Sequence, residues 1–304
     1  MRVRHFLFTK RFQCGAAALL WCLWIATIQA EERLAVFVTL PPLQTLVEQV
    51  GGARVAVQTL VPPGRSPETY EPTPRQVADL AAATLYVRVG MPFEEAWLER
   101  IRAANARLIV FDARTGIDLL PAPDHRHEPA AAHPPETTAS DPHVWTSPRL
   151  LRIMAAQLRD RLTALDPDHA ATYRAAHTNV DAELAALDAE LSARLAPLRQ
   201  RGFLVYHPAW GYFADAYGLE QIAIEHEGKE PSARRLGLLV EQARARRIGI
   251  VFNEPQSNRR PAERIAQAIG GRVVVVDPLA PDYAATLRQF AAALRAAEIA
   301  PDAP

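Results

Sequence analysis

The chain is almost without cysteine: its only two, Cys14 and Cys22, both fall within the first thirty residues. A chain that loses that segment has neither disulfides nor thiolates, so any metal site in it must be built from imidazole and carboxylate. Charge of one sign is also missing, with 34 Lys+Arg against 34 Asp+Glu. That balance argues against nucleic acid as a partner. No His-Glu-x-x-His helix and no Gly-x-Ser-x-Gly turn occurs, which removes two common hydrolase layouts. After residue 30 no long apolar run remains, so the rest of the chain is expected to be soluble.

What stands at the start is a basic group, Arg2, Arg4, Lys10 and Arg11, followed by an apolar stretch from Ala16 to Ile28. Ile28-Gln29-Ala30 then offers a small residue at a cut before Glu31, the layout of a secretory leader spanning 1–30. The apolar stretch is shorter than the roughly 20 residues a membrane span needs, and an uncleaved anchor is the alternative. The bulky Trp21 ahead of Cys22 does not suit lipid attachment. Removing the leader takes four basic residues and no acidic one, leaving a mildly acidic chain.

The remaining stretch, about 270 residues, is long for one domain and suggests two. Short β-branched runs alternate with amphipathic helical stretches, the signature of an α/β protein with mostly parallel sheets. Strands are predicted at 34–40, 55–61, 84–89 and 107–112, and again at 203–206, 221–224, 248–252 and 273–276. Helices are predicted at 42–50, 74–82 and 92–104 in the first half, and at 210–217, 232–244 and 260–268 in the second. Ser147-Pro148 opens a helix to about Leu165. Asp166-Pro167 then restarts one in which Tyr173, Ala176, Val180, Leu184, Leu187, Leu191 and Leu195 recur at spacings of three and four. That stripe predicts a rigid spine, with His169 and His177 facing solvent. The expected layout is an N-terminal lobe at 31–165, the spine at 166–198 and a C-terminal lobe at 199–304. Residues 121–142, with six prolines, five alanines and His125, His127 and His133, read as a mobile loop with weak affinity for metal.

Four polar residues stand at or beyond the carboxyl ends of predicted strands. Glu68 follows the second strand through Pro62-Pro63-Gly64. His143 follows the fourth through the histidine-rich loop, in Asp141-Pro142-His143-Val144-Trp145. His207 ends the strand at 203–206, and Asp277 ends the one at 273–276. Open α/β sheets bind ligands outside these strand ends, so a cleft between the lobes would gather all four. Each has a plainer reading: His143 and His207 as helix caps, Asp277 as a turn residue, Glu68 as a solvated loop carboxylate. Glu254 reads as a substitute ligand or as a structural group fixing a loop or an imidazole. His226, between Glu225 and Glu227, reads as a surface residue.

The chain resembles the periplasmic solute-binding receptors of zinc- and manganese-type ABC transporters, the cluster A-I binding proteins. The resemblance runs from about Leu34 to Tyr283. It rests on Pro67-Glu68-Thr69-Tyr70-Glu71-Pro72, Asp141-Pro142-His143-Val144-Trp145, His207-Pro208-Ala209-Trp210-Gly211-Tyr212-Phe213, Gly228-Lys229-Glu230-Pro231-Ser232 and Asp277-Pro278-Leu279. It implies two lobes on a rigid connecting helix and one divalent metal ion in the cleft. It also implies a monomeric, non-enzymatic receptor that hands its metal to a membrane permease. His143, His207 and Asp277 match three of the family's ligand positions, while Glu68 stands where the family usually has histidine. The resulting set of two imidazoles and two carboxylates suits Zn2+ and admits Mn2+ or ferrous iron. A zinc-dependent hydrolase, in which Glu68 stays off the metal and acts as a base, is the alternative from another class. A surface adhesin on the same fold is a third.

Overall fold

The computed structural model describes residues 33–122, 140–225 and 230–299. The leader, His125, His127 and His133 of the histidine-rich loop, and His226 lie outside the described residues.

Two four-stranded, all-parallel sheets carry the fold. The first contains β1 (Leu34–Val38), β2 (Val55–Thr59), β3 (Leu85–Arg88) and β4 (Ile109–Asp112) in the order β2-β1-β3-β4. The second contains β5 (Gly202–Val205), β6 (Glu220–Ala223), β7 (Ile250–Asn253) and β8 (Arg272–Val275) in the matching order β6-β5-β7-β8. Parallel pairing needs a crossover between strands, and helices supply it. In the first half these are α1 (Pro41–Gly51), α2 (Pro74–Ala81) and α3 (Pro92–Ala104). In the second half they are α6 (Gly211–Tyr217), α7 (Ala233–Ala245) and α8 (Arg259–Ile269).

Local chemistry sets the boundaries. Each of α1, α2 and α3 has proline in its first turn, where a missing N–H costs nothing. Thr73 and Gln76 close a capping box on α2: Gln76 N donates to Thr73 Oγ1 at 3.3 Å, and Thr73 N donates to Gln76 Oε1 at 3.0 Å. α6 and α8 stop at Gly218 and Gly270, both left-handed, a backbone that glycine adopts without steric penalty.

Between the halves run α4 (Pro148–Leu165) and the 26-residue α5 (Ala170–Leu195), at about 1.5 Å per residue roughly 39 Å long. The apolar stripe of α5 divides between two cores. Tyr173, Val180 and Leu184 pack with β1, β3, α1 and α4, while Leu187, Leu191 and Leu195 pack with β5, β7 and Phe290. One rigid rod is thus buried at one end in the first half and at the other end in the second. Ala176 of the predicted stripe is half-buried. His169 and His177 are half-buried too, not turned to solvent as expected: His169 bonds Asp166 at 2.8 Å, and His177 lies against Arg159.

A helix that the sequence pattern had not suggested, α9 (Tyr283–Ile299), completes the second core with Leu287, Phe290, Ala291 and Leu294. Its start is tied to the first half, where Tyr283 Oη donates to Gln49 Oε1 at 2.5 Å and Thr45 Oγ1 donates to the Pro281 carbonyl at 2.8 Å. Among the described residues no helix is long and apolar enough to cross a membrane.

Truncating the spine tests this arrangement. Leu191 is fully buried, so Leu191→Ala should lower the unfolding free energy by about 2–5 kcal/mol in urea titration. A loss below about 1 kcal/mol would mean that the spine is not packed as described.

Candidate metal centre

The carboxyl ends of both sheets meet at one cleft. Glu68 sits in a single 3-10 turn, Pro67–Thr69, in the loop after β2, with Pro67 buried beneath it. His143 stands just before a second such turn, Val144–Thr146, after β4 and the loop at 121–142. His207 lies two residues beyond β5.

Each imidazole is fixed from behind by a carboxylate. Asp141, completely buried, accepts from the His143 backbone N–H at 3.0 Å and from its Nδ1 at 2.7 Å. Glu225 Oε1 holds Nδ1 of His207. Glu225 itself reaches this place because it follows β6, the neighbour of β5, and its backbone N–H donates to the Tyr206 carbonyl at 3.1 Å. With the Nδ1–H of each ring donated to a carboxylate, Nε2 faces the cleft and becomes a donor atom for a cation once its own proton is lost. The two Nε2 atoms stand 3.1 Å apart. Glu68 Oε1 completes a triangle with them, 3.2 Å from His207 Nε2 and 3.6 Å from His143 Nε2. Among the described residues, this is the one group of three or more metal-binding side chains that converges so closely.

The cleft holds a cavity of about 100 Å³, lined by the triangle together with Glu225, Glu254, Gln256 and Leu279 among others. Trp145 packs against His143: its ring lies 5.2 Å from that of His143, and its Nε1 donates across the cleft to the Pro278 carbonyl at 2.8 Å. Tyr212 makes the second crossing. Its hydroxyl donates to the Asp141 carbonyl at 2.8 Å and accepts from the Leu120 N–H at 3.1 Å.

Asp277, the fourth sequence candidate, stands outside the triangle. Its Oδ1 accepts from Leu279 N at 2.9 Å and from Gln256 Nε2 at 3.0 Å, closing its own turn. Glu254 is buried on the cleft side of β7 with Oε1 unpartnered, and it bonds no imidazole. Orienting an imidazole, one of the roles considered for Glu254, is done by Glu225. Sequence reasoning had passed over Glu225 as a neighbour of His226, although it too follows a predicted strand end.

The titration of these groups reflects their crowding. Burial pulls the His143 imidazolium down, but the charge and hydrogen bond of Asp141 and the bond with Glu68 outweigh it, and the net value rises to about 9. Burial likewise works against His207, yet the Glu254 charge and the bonds to Glu225 and Glu68 raise it well above the ordinary value. For Glu68, burial would raise the carboxyl, but its bonds to both imidazoles hold it well below the usual range. Burial dominates at Glu254 and pushes it up to about 7, against the opposing charges of His207 and His143.

These shifts fix a pH dependence for the metal-free protein. His143, near 9 folded against 6.5 unfolded, contributes stability that is complete below pH 6.5 and lost as pH rises through about 9. Glu254, near 7 against 4.5, acts in the same direction: its contribution is complete below pH 4.5 and lost as pH rises through about 7. Glu68 runs the other way, but its contribution is already complete above pH 4.5. The melting temperature of the metal-free protein should therefore fall between pH 6.5 and 9, as measured by calorimetry. A flat or rising trend would contradict these assignments.

Comparison with known proteins agrees with the geometry. The family model for the zinc-uptake complex component A, periplasmic, matches residues 36–297. The high-affinity zinc uptake system protein ZnuA of Bacillus subtilis (strain 168) is 27% identical over 253 residues, covering 82% of this chain and 79% of that protein. A crystal structure of ZnuA superposes with a TM-score of 0.81 at 40% identity, covering 88% of this chain and 100% of that one. A zinc-bound ZnuA deletion mutant gives the same TM-score at 39% identity, covering 89% and 100%. The chain belongs to the family of the zinc-uptake complex component A.

Proposed function

We propose that the protein is an exported receptor that captures one divalent transition metal ion, zinc, between its two lobes and presents it to the permease of an ABC transporter. The triangle of His143 Nε2, His207 Nε2 and Glu68 Oε1 carries this reading. In a tetrahedral zinc site with bonds of about 2.0–2.1 Å, neighbouring ligand atoms lie about 3.3 Å apart. The three edges here, 3.1, 3.2 and 3.6 Å, bracket that spacing. The donors are the right kind as well, since borderline zinc accepts imidazole and carboxylate together. Zinc is the cargo of the named relatives with which this chain shares its fold. Manganese, which takes oxygen donors readily, remains the competing cargo because Glu68 replaces an imidazole.

The role is capture, not catalysis. A hydrolytic metal site needs an open position with a water and a base free to take its proton. Glu68, the carboxylate that alternative would free as a base, lies in the triangle with the two imidazoles. The leader predicted at 1–30, whose loss leaves a cysteine-free chain, supports export, and the periplasm is the compartment this reading assigns to the receptor. The protein acts as a monomer, with the metal and the permease as its partners.

Zinc at a thousand times its dissociation constant should stabilise the native state by about 4 kcal/mol. For a chain of this size that is a rise of about 7 °C in melting temperature. His207→Ala should abolish the rise, and manganese should give a smaller one. No shift with either metal would sink the receptor reading.

A further inference from the structure

Three side chains make a face, and a closed zinc site needs a fourth donor. The order of the second sheet, β6-β5-β7-β8, decides which carboxylate is near enough. His207 follows β5, Glu254 follows β7 and Asp277 follows β8. With strands about 4.8 Å apart, the residue beyond β7 starts one strand from His207 and the residue beyond β8 starts two. The side chains behave accordingly. Glu254 lines the cavity with the triangle, whereas Asp277 does not. Asp277 Oδ1 is already engaged by two donors.

Glu254 is also the side chain whose bonding is incomplete. It is only 8% exposed, and its Oε1 is buried without a hydrogen-bond partner. Its Oε2 has one weak contact, from Ser257 Oγ at 3.5 Å. A buried carboxylate oxygen left without a donor is costly unless a ligand completes it. The carboxylate stands outside the tight triangle but lines the same cavity, held there by the single contact from Ser257.

We infer that Glu254, and not Asp277, supplies the fourth donor to the captured metal, closing a site of two imidazoles and two carboxylates. In this arrangement Asp277 shapes the turn that carries Pro278 and Leu279 to the cavity wall. The assignment rests on the receptor reading above, and the test separates the two.

Zinc affinity of the full-length exported protein is measured by chelator competition for the wild type, Glu254→Gln, Glu254→Asp and Asp277→Asn. Visible spectra are recorded with Co2+ in place of zinc. Glu254→Gln should weaken zinc by about tenfold or more and alter the cobalt bands, because a ligand is lost. Glu254→Asp keeps the charge but retracts the oxygen by one methylene, so it should alter the cobalt bands too. Asp277→Asn should leave affinity within about twofold and the bands unchanged. A larger loss for Asp277→Asn, or cobalt bands unmoved in both Glu254 variants, overturns the assignment while wild-type zinc binding keeps the receptor reading intact. A wild type that binds no zinc overturns both.

Discussion

Two carboxylates that hold the Nδ1 side of the imidazoles determine what the cleft can bind. Asp141 and Glu225 each accept a hydrogen bond from the Nδ1–H of an imidazole, and this single constraint directs both Nε2 atoms to a common point. Without it, two histidines 3.1 Å apart would turn to donate elsewhere and the third group, Glu68, would have nothing to complete. Carboxylates crowd both rings, so the imidazoles hold their protons well above the ordinary range while the Glu68 carboxyl is held well below its own. Under the proposed receptor reading, a divalent ion bound there would replace those protons, so metal affinity would depend on pH.

Neither half can build this point alone. Glu68 and His143 come from loops of the first sheet, His207 and Glu225 from strand ends of the second. The spine α5 sets the distance between them by anchoring one end in each core. Two hydrogen bonds then fix the fine position: Trp145 to the Pro278 carbonyl, and Tyr212 to the Asp141 carbonyl. The second is instructive, because Tyr212 lies five residues beyond His207 and reaches across to hold the group that orients His143. His143 is thus positioned partly by the other half.

Much of this was legible from residues alone. The absence of cysteine after residue 30 restricted the donors to imidazole and carboxylate, and the alternation of short β-branched runs with amphipathic helical stretches placed the eight strands to within a few residues. The stripe from Tyr173 to Leu195 announced a buried spine. Other features depend on which strands become neighbours, and pattern does not carry that. Glu225 matters because β6 pairs with β5, and Asp277 stands apart because β8 is at the sheet edge. Helix α9 was missed although Asp282 caps it and Leu287, Phe290 and Leu294 recur at helical spacing. Its alanine-rich sequence has weak contrast between faces, so the pattern shows little until the second core is assembled around it.

The central claim is that two imidazoles, those of His143 and His207, meet at one metal ion. X-ray absorption at the zinc edge of the stoichiometric zinc complex tests it directly, because imidazole rings add a distinctive outer-shell signal. The account predicts two imidazole nitrogens near 2.0 Å, with oxygen completing the shell. A shell with three or more imidazoles would bring in histidines from beyond the described cleft and contradict it, as would one with none.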